Sequence, residues 1–104
     1  MIITDTRMSE KTIIELYYCS IKKTDDEEKQ KAKSSINLII KCFQLISIFT
    51  KEDHTKIIEQ VYFTKENIRV IGAEKMAVKV HMHPNTLYLY RQNYCKVINA
   101  ILFS

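Results

Sequence analysis

Two groups of side chains in the last third of the chain could act together on a polyanion. The first group offers amides and hydroxyls that hydrogen-bond to the base edges or adjacent backbone of duplex DNA: Asn85, Thr86, Tyr88 and Gln92. The second offers positive charge or an imidazole to backbone phosphates: Arg69, Lys75, Lys79, His83, Arg91 and Lys96. We therefore expect this part of the chain to present a surface for duplex DNA.

The distribution of charge along the chain supports that expectation. The formal net charge is +4, and none of it comes from residues 1–66, in which 11 Lys and Arg balance 11 Asp and Glu. Residues 67–104 hold five bases and a single acid, Glu74. A phosphate-facing surface needs such an asymmetry, and a chance excess of charge is the alternative explanation.

The polar groups require an element that positions them, and residues 70–92 predict a helix-turn-helix. Pro84, the only proline, suits a first helical turn, where its missing N–H would have no partner in any case. His83 precedes it at the capping position. The apolar residues of the first helix recur at helical spacing, at positions 70, 71, 73, 76, 77 and 80. Three residues then separate Val80 from Pro84, as in the tight turn of such a unit.

The two helices also have residues suited to a close crossing. Ala77 is the small residue at the crossing, and the inner faces are predicted to be Met76, Val80, Met82, Leu87 and Tyr90. The residues left to face outward or to flank are Asn85, Thr86, Tyr88, Leu89, Arg91 and Gln92. His81 occupies the turn, where a glycine would be easier if the backbone takes a positive φ.

Composition predicts an all-α fold. One glycine and one proline in 104 residues provide little turn chemistry for hairpins. We expect a single domain of about five helices over residues 1–104, with a helical pair at 9–49 and the helix-turn-helix part at 50–104. Helix starts are predicted from Ser9, from the Thr24–Glu27 capping box and from residues 50–53. The recognition helix is expected near 84–98, continuing almost to the end of the chain.

The second helix has more apolar surface than one face requires. One row contains Ile36, Ile39, Ile40, Phe43 and Ile46, and the other contains Leu38, Cys42, Leu45 and Phe49. Either this helix is central and covered on both sides, or part of it is buried in a dimer. Because a short chain has few helices to cover it, we favour a homodimer.

Other chemistry finds little support. His81, His83 and Cys95 lack the fourth ligand of a zinc site. The four acids at 25–28 could bind a divalent metal, but such a cluster is more typical of a solvated helix start. Cys95 as a nucleophile would need an acid and a shaped pocket, and a small helical domain offers little of either. We expect no enzyme, cofactor or small-molecule substrate. We also expect a cytoplasmic protein with reduced cysteines, without a signal peptide or membrane span.

From about residue 50 to 103 the chain resembles small phage transcriptional regulators of the ArpU type, which are similar to the region 4 helix-turn-helix of sigma factors. The matching features are the aromatic pair Tyr62-Phe63, the helix ending AVKVHM, and the string Thr86, Leu87, Tyr88, Tyr90 and Arg91. The resemblance implies a regulator of transcription from a phage or prophage of a low-GC bacterium. It covers roughly half the chain.

The sequence thus predicts a sequence-specific DNA-binding regulator. If it is dimeric, its recognition helices would lie about one DNA turn apart and prefer an inverted repeat. The alternative is a helical protein–protein interaction module that does not bind DNA. Such a module would dock on RNA polymerase or act as a dimeric scaffold or inhibitor protein. An exposed Leu89 suits docking on a protein better than contact with DNA.

Overall fold

The computed structural model describes residues 6–103, and this part of the chain forms six helices and no strand. They are α1 (Thr6–Ser20), α2 (Glu27–Thr50), α3 (His54–Val61), α4 (Ile68–Ile71), α5 (Ala73–Lys79) and α6 (Pro84–Phe103). The predicted all-α class is confirmed.

Three helices begin at a polar side chain that accepts a hydrogen bond from the first turn. Asp26 accepts from the Lys29 N–H at 2.9 Å, Asp53 from the Lys56 N–H at 3.0 Å, and Asn67 from the Arg69 N–H at 3.1 Å. These bonds satisfy donors that would otherwise lack a partner at the helix ends. The starts of α2 and α3 were therefore predicted to within a few residues. For α2 the cap is Asp26 and not Thr24.

The prediction that Ser9 caps the first helix was wrong. α1 begins at Thr6, and Ser9 lies inside it, buried against α6. Its hydroxyl accepts a hydrogen bond from the Asn99 amide at 3.0 Å. A buried serine bonded to a distant helix cannot be distinguished from a cap by its position in the sequence, which explains the error.

Gly72 interrupts the predicted first helix of the motif and divides it into α4 and α5. The described residues therefore form six helices, where about five were predicted. Gly72 adopts a φ of +87°, which L-residues rarely adopt, and its N–H donates to the Ile68 carbonyl at 2.9 Å. This residue ends α4 and precedes α5. The prediction of a single helix over 70–80 was therefore wrong, because its first residues belong to the separate four-residue helix α4.

The core lies where α1 and α2 pack on each other and on α3, α5 and α6. Its fully buried side chains include Ile39 of α2, Ile58 of α3, Met76 of α5 and Ile98 of α6, and Tyr62 lies among them just after α3. Burying each large aliphatic side chain contributes about 1.5–3 kcal/mol. The core therefore fixes the position of the long α6 helix along most of its length.

The two apolar rows of α2 have different surroundings. Ile36, Ile39 and Phe43 are buried. In the other row Leu38 is 50% exposed, Leu45 58% and Phe49 84%, and the neighbouring Ile48 is 71% exposed. Within the described residues the helix is therefore covered on one side only. In a single copy of the chain α2 is not a central helix packed on both sides. We call the row of Leu38, Cys42, Leu45 and Phe49 the α2 stripe.

By length and composition alone, α2 is apolar enough to cross a membrane. The core helices of soluble proteins pass the same test. One face of α2 packs against α1, α3 and α6, but only 22% of its most apolar 18-residue window is buried, less than in a typical core helix.

Candidate nucleic-acid interface

α5 and α6 are joined by a turn of residues 80–83 whose backbone is closed by two hydrogen bonds. The Met82 N–H donates to the Ala77 carbonyl at 2.9 Å, and the His81 N–H donates to the Val78 carbonyl at 3.1 Å. His81 has a φ of +58°. This combination is a Schellman motif, in which the residue with positive φ lies just beyond the helix end. The turn takes the conformation that would favour glycine, with a histidine in its place.

The start of α6 was predicted correctly. Pro84 is its first residue, and the Asn85 N–H donates to the Nδ1 atom of His83 at 3.1 Å, so the imidazole caps the helix. Because Nδ1 accepts this bond, the ring proton of a neutral imidazole is on Nε2. His83 is exposed, so the Nε2–H can still donate outward.

Apolar contacts fix the angle between the two helices. Met76, Ala77, Val80 and Leu87 are buried at the corner, and Met82 and Tyr90 are partly buried beside them. The predicted inner faces therefore do face inward. Because Leu87 is anchored in the core, the residues around it in α6 are directed to the surface.

The outward side of α6 presents most of the predicted polar residues. Asn85, Thr86 and Tyr88 are exposed, while Gln92 is half-buried and donates to the Tyr88 hydroxyl at 3.1 Å. Leu89 lies between them and is 58% exposed. Asn93 is also exposed, and sequence reasoning missed it. Its spacing of four residues from Leu89 and eight from Asn85 was the signal that could have found it.

Arg91 is located differently from the other predicted contacts. Its guanidinium donates from Nε to Oε2 of Glu10 at 2.8 Å and from Nη2 to Oε1 at 2.6 Å. The two side chains are 15% and 4% exposed. The hydrogen bond to Glu10 raises the pKa of Arg91. The charge of Arg91 is neutralised inside the fold, so this residue is a poor candidate for a phosphate contact.

The Tyr62 hydroxyl completes the group around Glu10. It donates to Oε2 of Glu10 at 2.6 Å, and burial raises its pKa well above the ordinary value. Glu10, in α1, therefore accepts three hydrogen bonds from residues distant in the sequence. Sequence reasoning missed this cluster, since its members share no periodicity.

The remaining predicted phosphate contacts are spread over three helices. Arg69 of α4, Lys75 of α5 and Lys96 of α6 are exposed, and no ion pair involves them within residues 6–103. Lys79 is half-buried, with its Nζ atom 3.9 Å from Oε2 of Glu66. This part of the chain thus offers three exposed cations and one that is partly compensated.

The residues considered for a zinc site are in different surroundings. Cys95 is buried with its Sγ atom 3.7 Å from the Tyr62 hydroxyl, whereas His81 and His83 are exposed. In the described part of the chain no three His, Cys, Asp or Glu residues are grouped as metal ligands would be. Burial also raises the pKa of the Cys95 thiol to about 11, which keeps it protonated at neutral pH.

A second surface feature is an apolar cavity of about 240 Å³ between α2 and α6. Ile46 and Val97 line it, and at one side His54 Nδ1 lies 2.7 Å from the Tyr94 hydroxyl. Tyr94 also packs edge-on against Phe43, with ring centroids 5.2 Å apart. The cavity therefore adds apolar surface between α2 and α6, beside the covered row of α2 and not the α2 stripe.

Comparisons of the chain with protein-family models, with curated proteins and with solved structures find no match.

Proposed function

We propose that this protein is a duplex-DNA-binding regulator of transcription whose recognition helix is α6. The observation that carries the proposal is the corner between α5 and α6. A Schellman turn and a buried Leu87 hold the first turns of α6 so that Asn85, Thr86 and Tyr88 are exposed. A recognition helix reads base edges with residues near its N-terminus. The resemblance to ArpU-type phage regulators and to sigma factor region 4 supports the same function.

In this proposal the first turns of α6 enter the major groove. The Asn85 amide can bond in a bidentate manner to adenine, and Thr86, Tyr88 and Gln92 meet neighbouring base edges or the backbone. Lys75, Lys96 and Arg69 hold phosphates, and the outward Nε2–H of His83 adds a donor. Lys79 contributes less because Glu66 competes for it.

The proposed regulator acts in the cytoplasm as a homodimer joined through the α2 stripe. The stripe residues 38, 42, 45 and 49 are spaced by four, three and four positions, which is the seam of two packed helices. Neighbouring exposed apolar side chains of this kind mark interaction surfaces. The same seam on a second copy complements it, as a two-fold interface requires.

Fluorescence anisotropy of a labelled mixed-sequence duplex, measured at several salt concentrations, tests DNA binding. We expect micromolar affinity that weakens steeply with salt. Lys75→Glu with Lys96→Glu should abolish binding, whereas Lys33→Glu with Lys56→Glu, at exposed positions on α2 and α3, is the matched control and should preserve most of it. Failure of the wild-type protein to bind at low salt would refute the proposal.

A second candidate function rests on the apolar residues at the corner. Leu89 is 58% exposed on α6 and Val78 is 76% exposed on α5. Exposed aliphatic side chains such as these suit a protein surface, for example that of RNA polymerase, better than a DNA backbone. Leu89→Ser should then abolish capture by purified RNA polymerase and leave DNA affinity nearly unchanged. Loss of DNA affinity alone would instead place Leu89 at a thymine methyl group.

A further inference from the structure

A cavity of about 390 Å³ opens between α1, α4, the start of α5 and α6. Four of its lining residues are basic: Arg7, Lys11, Arg69 and Arg91. Glu10 is the one carboxylate among the lining residues. Apolar contributions come from Met8, Ile68 and Ala73. The size is within the range of about 300–1,000 Å³ for small-molecule sites.

The carboxylate of Glu10 does not make the cavity acidic. Both of its oxygens accept hydrogen bonds from Arg91, and Oε2 also accepts one from the Tyr62 hydroxyl. The charges of Glu10 and Arg91 therefore cancel at the inner wall. The other charged lining residues are cations, and Lys11 and Arg69 among them form no ion pair within residues 6–103, so the lining is positive even without a contribution from Arg7.

The fold creates this concentration of charge, because the first part of the chain is electrically balanced. Arg7 and Lys11 belong to that part and lie 58 or more positions before Arg69. Their acidic neighbour Glu10 is bound to Arg91 of α6, and both basic residues line the same cavity as Arg69. The linear charge count over residues 1–66 therefore understated the basic surface.

We propose that this cavity binds a phosphate group. Guanidinium and ammonium groups are the side chains that recognise phosphate oxygens, Arg69 through its planar fork and Lys11 as a point charge. Lys11 and Arg69 are exposed and form no ion pair within residues 6–103. The phosphate has two sources of the same chemistry, a DNA backbone or a free phosphate ester, and only the first rests on the proposed function.

The first arm of the test uses inorganic phosphate and needs no DNA. Amide shifts of the ¹⁵N-labelled protein are followed during titration with phosphate, with chloride exchanged to hold the ionic strength constant. We expect saturable shifts of Lys11, Arg69 and Ala73 that disappear in a Lys11→Gln, Arg69→Gln double variant. A Lys33→Gln, Lys56→Gln variant removes the same charge from exposed positions on α2 and α3 and should keep them.

The second arm identifies the source with the duplex anisotropy assay. If DNA supplies the phosphate, the Lys11→Gln, Arg69→Gln variant should lower the slope of log affinity against log salt by roughly 1 for each DNA phosphate that is no longer bound, and the control should not. Saturable phosphate shifts would support the cavity as a site for a free phosphate ester if the double variant and the control bind DNA equally. The same conclusion would follow if none of the proteins, including the wild type, binds DNA. Absence of saturable shifts together with equal slopes in the two variants would overturn the proposal.

Discussion

The guanidinium of Arg91 forms two hydrogen bonds, of 2.8 and 2.6 Å, with the carboxylate of Glu10, which lies 81 positions earlier in the chain. The pair joins α1 to α6, and the Glu10 side chain is 4% exposed and the Arg91 side chain 15% exposed. A buried charge that loses its partner is costly, whereas replacing both charges by apolar groups is often tolerated. Arg91 is therefore a residue of the fold, and charge reversal at this position cannot serve as a clean test of DNA binding.

We predict that Arg91→Ala lowers the free energy of unfolding by about 3–5 kcal/mol, because it leaves Glu10 charged and unpaired. The triple variant Glu10→Leu, Arg91→Met, Tyr62→Phe should recover most of that decrease, because it also removes the Tyr62 hydroxyl that donates to Glu10. Urea denaturation followed by circular dichroism measures both. A decrease of less than about 1 kcal/mol in Arg91→Ala would mean that the pair behaves like an exposed salt bridge.

A second prediction concerns the positive φ of His81. His81→Gly should raise the free energy of unfolding by about 1 kcal/mol, because glycine adopts this conformation without the penalty of a Cβ atom. Gly72→Ala is the opposite substitution and should destabilise by a similar amount. A Cβ atom at Gly72 would meet nothing within 4 Å, so its effect reports backbone conformation alone. Thermal unfolding of both variants checks the two signs, and equal signs would contradict the explanation.

A third prediction separates the two faces of α2. Phe43 is buried against Tyr94, so Phe43→Asp should unfold the protein and cannot report on assembly. Phe49→Asp or Leu45→Asp should instead convert the proposed dimer to folded monomers, because these side chains are exposed in a single copy. Gln44→Asp introduces the same charge at an exposed position outside the stripe and should leave the dimer intact. Sedimentation equilibrium measures the result, and a monomeric wild-type protein at every concentration would refute the dimer.

A fourth prediction follows from the buried thiol of Cys95. Burial raises its pKa from 9.0 to about 11, so in alkaline solution the unfolded chain loses this proton before the folded protein does. The unfolded state then binds fewer protons, and stability must fall as pH rises from about 9 to about 11. Tyr62, whose pKa is also raised by burial, adds to the fall at higher pH.

Urea midpoints measured across this alkaline range test the prediction. Cys95→Ala should show a shallower fall than the wild-type protein, whatever its stability at neutral pH. Cys19→Ala, at a half-buried position on α1 and outside the α2 stripe, is the control. Identical slopes in wild-type and Cys95→Ala proteins would show that the thiol does not contribute.

Local signals predicted much of the architecture. Pro84 with His83 located the start of α6, and Asp53 lies within the residues from which the start of α3 was predicted. Apolar spacing identified the buried faces around Ala77. Such features depend on neighbours within a turn or two of helix, so a single sequence contains them.

Features set by distant contacts were not predictable in this way. Periodicity revealed two apolar rows on α2 but not which of them would be covered. The pairing of Glu10 with Arg91, and the cationic cavity that results beside Lys11, depend on how α1 and α6 come together. No spacing rule connects residues so far apart. The break at Gly72 was missed for another reason, since an isolated glycine is often tolerated within a helix.

The contacts between α1 and α6 can form only after the ribosome has made α6. Ser9 and Glu10 find their partners in Asn99 and Arg91, 90 and 81 positions later. At about 5–20 residues per second, the ribosome makes Arg91 roughly 4–16 s after Glu10. Until then the emerging chain carries Glu10 without the arginine that neutralises it, on a helix face that α6 covers in the folded protein. Truncated products that end before α6 therefore keep this face open and are natural targets for proteolysis.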